Sequence, residues 1–408
     1  MGGGRDAIAR GRWRMLALLA CAELLGMSLW FAGSAAAPLL RQDWNLSDTQ
    51  VAWLTTAVQL GFVAGTALSA LLNLADIVPA RLFFTICALL GAAANAWLAV
   101  TDSLAPAIAS RFLAGAFLAG VYPPAMKMAA TWFVERRGLA VGAVVGALTI
   151  GKAGPYLVAA LPNAGVRFIT LLASTSAVAA AVLVFAGYHD GPFAFPSRSF
   201  SWTRVGEVVA SRPWRLALGG YLGHMAELYS YWTWIPAFLA ASAIADVHAL
   251  TAVATPAVHV LAFAVIAVGG AGCIWGGLVA DRIGRAALVV RALTVSATCC
   301  AGVGFAFGHS LWVLGPIALV WGFFIIADSA QFSVLVTESV AAHAVGTAIT
   351  LQVSIGFLLT TATIQIVPVI VRNAGWSWVF GLLSAGPILG IVSIRQLALS
   401  AESRETVS

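Results

Sequence analysis

The chain has 408 residues, of which 61% are hydrophobic and only 9% are charged, with a formal net charge of +6. That is too little polar surface to clothe a water-soluble globule of this size, so most of the chain must face lipid or other apolar helices. A soluble enzyme and a nucleic-acid-binding protein are excluded on this ground, and the arginines near the ends of apolar runs report topology.

Arginines 5, 10, 12 and 14 precede an apolar run from Met15 to Leu40. The run is too long for the apolar core of a signal peptide, and Pro38 is a poor residue to follow a cleavage site, so this stretch is read as a first transmembrane helix. Spans of about 20 apolar residues, each enough to cross a ~30 Å hydrocarbon core, then recur. They are placed near 14–40, 51–72, 82–101, 105–131, 139–161, 166–187, 214–241, 256–280, 287–308, 310–334, 344–371 and 377–396. The expected fold class is an all-α membrane protein of twelve transmembrane helices. Sixteen arginines then fall on one side, at 5, 10, 12, 14, 81, 136, 137, 198, 204, 212, 215, 282, 285, 291, 395 and 404, against those at 41, 167 and 372 on the other. Both termini are therefore expected in the cytoplasm, in a bacterial-type inner membrane.

The one long connection, Tyr188 to Pro213, carries Pro192, Pro196 and several serines. It divides the chain into an N-terminal six-helix bundle, 1–187, a central linker, 188–213, and a C-terminal six-helix bundle, 214–408. Within the linker, Trp202 to Ser211 is read either as a short amphipathic surface helix or as plain linker. The two halves look like copies. A shift of 204 lays Ala22-Glu23-Leu24 on Ala226-Glu227-Leu228, Trp30 on Trp234 and Ala140-Val141-Gly142 on Ala344-Val345-Gly346. Such repeats are expected of a transporter built around a midplane site.

A charged hinge, GGLVADRIGRAALVVR at 276–291, separates two apolar runs. Its Gly277, Leu278, Ala280, Asp281, Arg282, Gly284 and Arg285 resemble the loop signature of the major facilitator superfamily. In the first half the corresponding LLNLADIVPAR keeps Ala75-Asp76 but has Ile77, Pro79 and Ala80 where the second has Arg282, Gly284 and Arg285. The segment 111–142, with Arg111, Gly115, Gly120 and the trailing Trp-Phe and Glu-Arg-Arg-Gly, is similar to branches of that superfamily that carry organic anions, organophosphates and nitrate. The resemblance implies two pseudo-symmetric bundles, a cavity lined by the first, fourth, seventh and tenth helices, and a gate in which Asp281 faces the start of the fifth helix beside Arg136 and Arg137. Asp76, Arg282 and Arg285 complete the expected gating set.

Charges inside membrane helices are costly and each invites a functional reading. The chain has twenty arginines but only two lysines, Lys127 and Lys152, both inside predicted helices. Lys127 lies near a helix end and is read as snorkelling. Lys152, about thirteen residues into the fifth span, should sit near the midplane at ~1.5 Å per residue. It is read as a cation for an anionic substrate, with a static pair to Glu23 or another carboxylate as the alternative. Arg111 is expected to guide the same anion, with Tyr122 further along that helix. On the first span Glu23 and Trp30 share a face at helical spacing, as do His224, Glu227, Tyr231 and Trp234 on the seventh. The two glutamates are expected to face one another across the cavity as proton carriers, with His224 and Asp328 as further candidates. Structural hydrogen bonding is the alternative for each.

Cys21, Cys87, Cys273, Cys299 and Cys300 lack metal spacing and are read as packing residues. No nucleophile pairing, phosphate loop or metal cluster is apparent, so the chain is read as no enzyme, with no cofactor. Its expected partners are a small-molecule substrate, protons and the lipid bilayer, with no nucleic acid and a monomeric state. The leading expectation is a proton-coupled symporter of a small organic anion. A proton-coupled multidrug exporter, favoured by Tyr229, Tyr231, Trp232 and Trp234, and a non-transporting receptor or scaffold remain as alternatives.

Overall fold

The computed structural model describes residues 2–133, 137–193, 200–246 and 254–405. Among these, eleven helices are long and apolar enough to cross a membrane: Gly11–Trp44, Asp48–Leu71, Ala80–Val100, Leu104–Ala130, Gly138–Ala159, Val166–Gly187, Pro256–Ile283, Arg285–Ala306, Leu311–Glu338, Ala342–Ala374 and Trp376–Ser400. A twelfth, Arg212–Ala245, is 34 residues long and takes the seventh place in chain order. It is less apolar than the others because His224, Glu227 and three tyrosines replace aliphatic residues along it, as a helix lining polar structure requires. The chain is thus an all-helical twelve-span membrane protein, and each predicted span is found within a few residues of its expected place.

In the first half the second span packs against the fourth, the third against the sixth, and the first against the fifth and sixth. In the second half the seventh span packs against the eleventh and twelfth. The halves meet where the fifth span lies along the eighth and the second along the eleventh. Without water to drive association, such packing depends on backbones approaching closely at small residues. A methyl group added at Gly61 would collide with the carbonyl oxygen of Phe112 and the amide of Ala116. Gly61→Ala is therefore expected to cost about 1–3 kcal/mol, read as a lower unfolding temperature in detergent. A midpoint equal to the wild type would show that the second and fourth spans are free to separate.

The ends of the spans follow local rules. Ser47 and Gln50 form a reciprocal capping box at the start of the second span, and Gly284, at φ +87, makes the turn between the eighth and ninth. In the first half the corresponding turn is made earlier, by Asn73 at φ +49. The first-half hinge has thus been rebuilt around a left-handed asparagine. The linker region forms a single 3₁₀ turn at Trp202–Arg204 and a helix at Val205–Ala210. It is fastened to the ends of the tenth and eleventh spans. Glu207 lies 3.0 Å from His343 Nε2, Ser211 Oγ donates to Ser339 O at 2.9 Å, and Arg204 donates to the His343 carbonyl.

Candidate functional site

Three of the spans that the superfamily resemblance assigns to the cavity are broken midway: the first by a 3₁₀ turn at Met27–Leu29, the fourth between Leu118 and Tyr122, and the tenth between Phe324 and Ser329. Each break frees backbone groups that need partners inside the membrane. At the first break Arg111 supplies them. Its Nη2 donates to Leu29 O at 2.8 Å and Trp30 O at 2.6 Å, and Nη1 donates to Asn95 Oδ1 at 2.6 Å. Asn95 is held in turn by donating to Thr170 O and Ser174 Oγ. Arg111 is wholly buried, is not among the residues lining the cavity, and braces the first span.

That brace sets Trp30 facing Lys152. The ammonium of Lys152 donates to Tyr229 OH at 3.0 Å and lies 3.9 Å from the ring centroid of Trp30, 4.8 Å from Trp232 and 5.0 Å from Tyr229. Rings stabilise a cation through their negative faces. Among the described residues no carboxylate lies within ion-pair distance of Lys152, so the static pair with Glu23 is not formed. Glu23 is fully buried, neither carboxyl oxygen has a hydrogen-bond partner, and Lys152 is near enough to act on it electrostatically. The cavity beside Lys152 measures about 70 Å³. Its wall includes Met27, Trp30, Phe62, Tyr122, Tyr221 and Tyr229. Trp232, Ser329 and Phe357 complete the polar and aromatic lining, with aliphatic side chains of the fifth and seventh spans filling the gaps.

The seventh span presents a different face from the expected one. Tyr221, Met225, Leu228, Tyr229 and Trp232 line the cavity, whereas Tyr231 and Trp234 do not. Tyr231 OH donates to Ala318 O at 2.8 Å, and Trp234 Nε1 donates to Ile364 O at 3.0 Å. Glu227 shares their face and turns into its own half, where Oε1 accepts from Ser296 Oγ and Trp321 Nε1, each at 2.7 Å, and Oε2 has no partner. It does not face Glu23 across the cavity. One turn away His224 Nδ1 stands 3.0 Å from Asp328 Oδ1 at the break of the tenth span, an ion-pair distance without hydrogen-bond alignment. His224, Glu227 and Asp328 thus form a second buried titratable group, beside the cavity and not in its wall.

At the arginine-rich end, a methyl group built on Gly138 would lie 3.7 Å from Asp281 Oδ2. The Asp281 carboxylate is therefore at the first turn of the fifth span, where freed N–H groups and the helix dipole favour a negative charge. Arg285 Nη1 donates to Glu338 Oε1 at 2.7 Å, tying the hinge to the end of the tenth span. Arg282 is exposed. Arg136 lies outside the described residues, as do the side chains of Arg137 and Asp76.

Phe62, Phe357, Tyr221, Ser329 and the brace residue Asn95 escaped the sequence reading. Asn95 had left a signal, a lone carboxamide in the apolar run 82–101. Phe62 and Phe357 had left none, since a phenylalanine facing lipid and one facing a cavity look alike in sequence.

Comparison with known proteins gives two findings. The family model described as Major Facilitator Superfamily matches residues 18–363. Among solved structures, a variant of the nucleoside transporter NupG superposes with a TM-score of 0.69 at 14% sequence identity, covering 94% of this chain and 99% of that one. At that identity the likeness is one of fold. Among curated proteins none matches.

Proposed function

The chain belongs to the major facilitator superfamily and is a multi-pass membrane transporter, and from the cavity around Lys152 we propose that it symports protons with a small organic anion by alternating access of its two halves. The observation that carries this reading is the Lys152 ammonium, buried to 2% exposure, facing a cavity and, among the described residues, lacking any carboxylate at ion-pair distance. A buried cation needs a counter-charge, and an incoming anion supplies it. The arginine distribution supports cytoplasmic termini in an inner membrane.

Glu23 and the His224, Glu227 and Asp328 cluster are the proton carriers of this reading, because a carboxyl group in a low-dielectric site exchanges its proton when its surroundings change. Glu23→Gln or Glu227→Gln is expected to leave counterflow exchange of a labelled carboxylate across proteoliposomes intact and to abolish its accumulation under an imposed pH gradient. Uphill uptake surviving in both single variants and the double variant moves coupling to His224 and Asp328. At the gate, Asp281→Asn is expected to slow uptake about two- to five-fold, the loss of one charge–dipole contact worth ~0.3–1 kcal/mol, with a nearly unchanged melting temperature. Uptake at the wild-type rate would remove Asp281 from the gate.

The aromatic walls favour a second reading, export of lipophilic cations, which would displace Lys152 from its rings. A nucleoside, the cargo named for the superposed structure, would also stack there. Binding measured against small carboxylates, lipophilic cations and nucleosides separates the three.

A further inference from the structure

The polar side chains around Lys152 share one property: they donate. Besides the ammonium, the lining offers the hydroxyls of Tyr122, Tyr221, Tyr229 and Ser329 and the indoles of Trp30 and Trp232, and no carboxylate or carboxamide. Trp30 and Trp232 are each exposed to only 1%, and neither indole nitrogen has a hydrogen-bond partner. An indole N–H can only donate. Two unsatisfied buried donors beside a buried ammonium form a set that lacks its acceptor.

The rest of the wall is flat and apolar. Trp30, Phe62 and Phe357 lie 4.6 to 5.9 Å apart, centroid to centroid, and Phe357 continues to Tyr229 at 5.1 Å. Rings at these spacings and tilts present faces and edges to a further ring. The volume of about 70 Å³ is far below the roughly 300–1,000 Å³ of drug-sized pockets, so it excludes drug-sized solutes.

Resting on the anion reading above, we infer that the substrate is a flat aromatic monocarboxylate. Its carboxylate oxygens accept from Lys152 Nζ, the Tyr229 hydroxyl and the indole N–H groups, and its ring packs among Trp30, Phe62 and Phe357. The single cation in the wall matches a single carboxylate, because a second one would be buried against rings without a counter-charge. Sugars and nucleosides present many hydroxyl donors, and in this wall only the Tyr and Ser hydroxyls can accept from them, since the ammonium and the indoles only donate. Lipophilic cations meet the Lys152 charge.

The test is calorimetric titration of the full-length protein in detergent with benzoate, cyclohexanecarboxylate, propionate, terephthalate, uridine and tetraphenylphosphonium. Benzoate is expected to bind at least five-fold more tightly than each of the other five. A smaller ratio against cyclohexanecarboxylate, propionate or terephthalate overturns the aromatic monoacid assignment and leaves the anion reading standing. Binding of uridine or tetraphenylphosphonium without any carboxylate overturns both, as does a panel in which nothing binds at millimolar concentration. Trp30→Phe and Trp232→Phe keep a ring and delete the N–H, and at least one is expected to weaken benzoate three-fold or more. Unchanged affinity in both removes the indoles from the site. If either variant fails to fold, the wild-type panel decides alone.

Discussion

Replacing Lys152 by Met is expected to abolish binding of small carboxylates and to leave a folded protein at least as stable as the wild type. The ammonium is 2% exposed and, among the described residues, its one hydrogen-bond partner is the Tyr229 hydroxyl. Desolvating a charge costs several kcal/mol, and rings at 3.9 to 5.0 Å return only part of it, roughly 2 kcal/mol when desolvated. Methionine fills similar length without that burden, so the fold does not depend on the charge. A carboxylate, by contrast, loses a charge-assisted contact and meets an apolar wall. A loss of about 100-fold, ~2.7 kcal/mol, is the minimum expected. Lys152→Arg keeps the charge but presents a broad planar fork where a compact ammonium fitted, and should weaken binding about tenfold. Ligand-induced thermal stabilisation reads both effects. A Met variant stabilised by carboxylates as the wild type is, or a wild type stabilised only by cations, would sink the assignment.

Arg111→Gln should have the opposite signature, a large loss of stability with the cavity chemistry untouched in kind. The guanidinium satisfies two carbonyls at the break in the first span and the Asn95 side chain. A glutamine is too short to reach all three, so buried acceptors are left unpaired at a cost of about 3 kcal/mol or more. Arg111→Lys keeps the charge but not the fork and should recover only part of this. The expected readout is a melting temperature lower by several degrees, with Gln worse than Lys, and substrate affinity reduced in step because Trp30 is no longer held toward Lys152. A Gln variant with wild-type stability and selectively lost anion binding would return Arg111 to the role of an anion guide.

The contrast between these residues shows what could be read from sequence. The spans were legible because a bilayer imposes one length and one composition on every crossing. Lys152 was legible for the same reason, since a midplane charge stands out. The facing of Trp234 and Tyr231 was not. Trp30 lies seven residues after Glu23, and Trp234 seven after Glu227, so a uniform helix would place both tryptophans alike. The 3₁₀ turn at Met27–Leu29 interrupts the first span but nothing interrupts the seventh, so equal spacing leads to different walls. The break itself is braced by Arg111, some eighty residues away, and no local pattern announces it. Arg111 was noticed as a charge, but its carbonyl partners were not: a guanidinium that binds an anion and one that binds carbonyls are the same residue in sequence.

The seam between the fifth and eighth spans has a consequence for the proposed cycle. A methyl added at Gly146 would lie 2.7 Å from Gly270 O, one at Gly142 2.8 Å from Cys273 O, and one at Gly277 2.7 Å from Gly138 O. At these three rungs backbone rests on backbone, and the side chains of Ile150 and Asp281 reach across beside them. When such rungs part, every helical hydrogen bond stays closed within its own helix. The glycine rungs set the register in which the two halves rejoin. A bulky residue at any rung would act as a wedge, holding this end ajar and biasing the protein toward one side of the membrane.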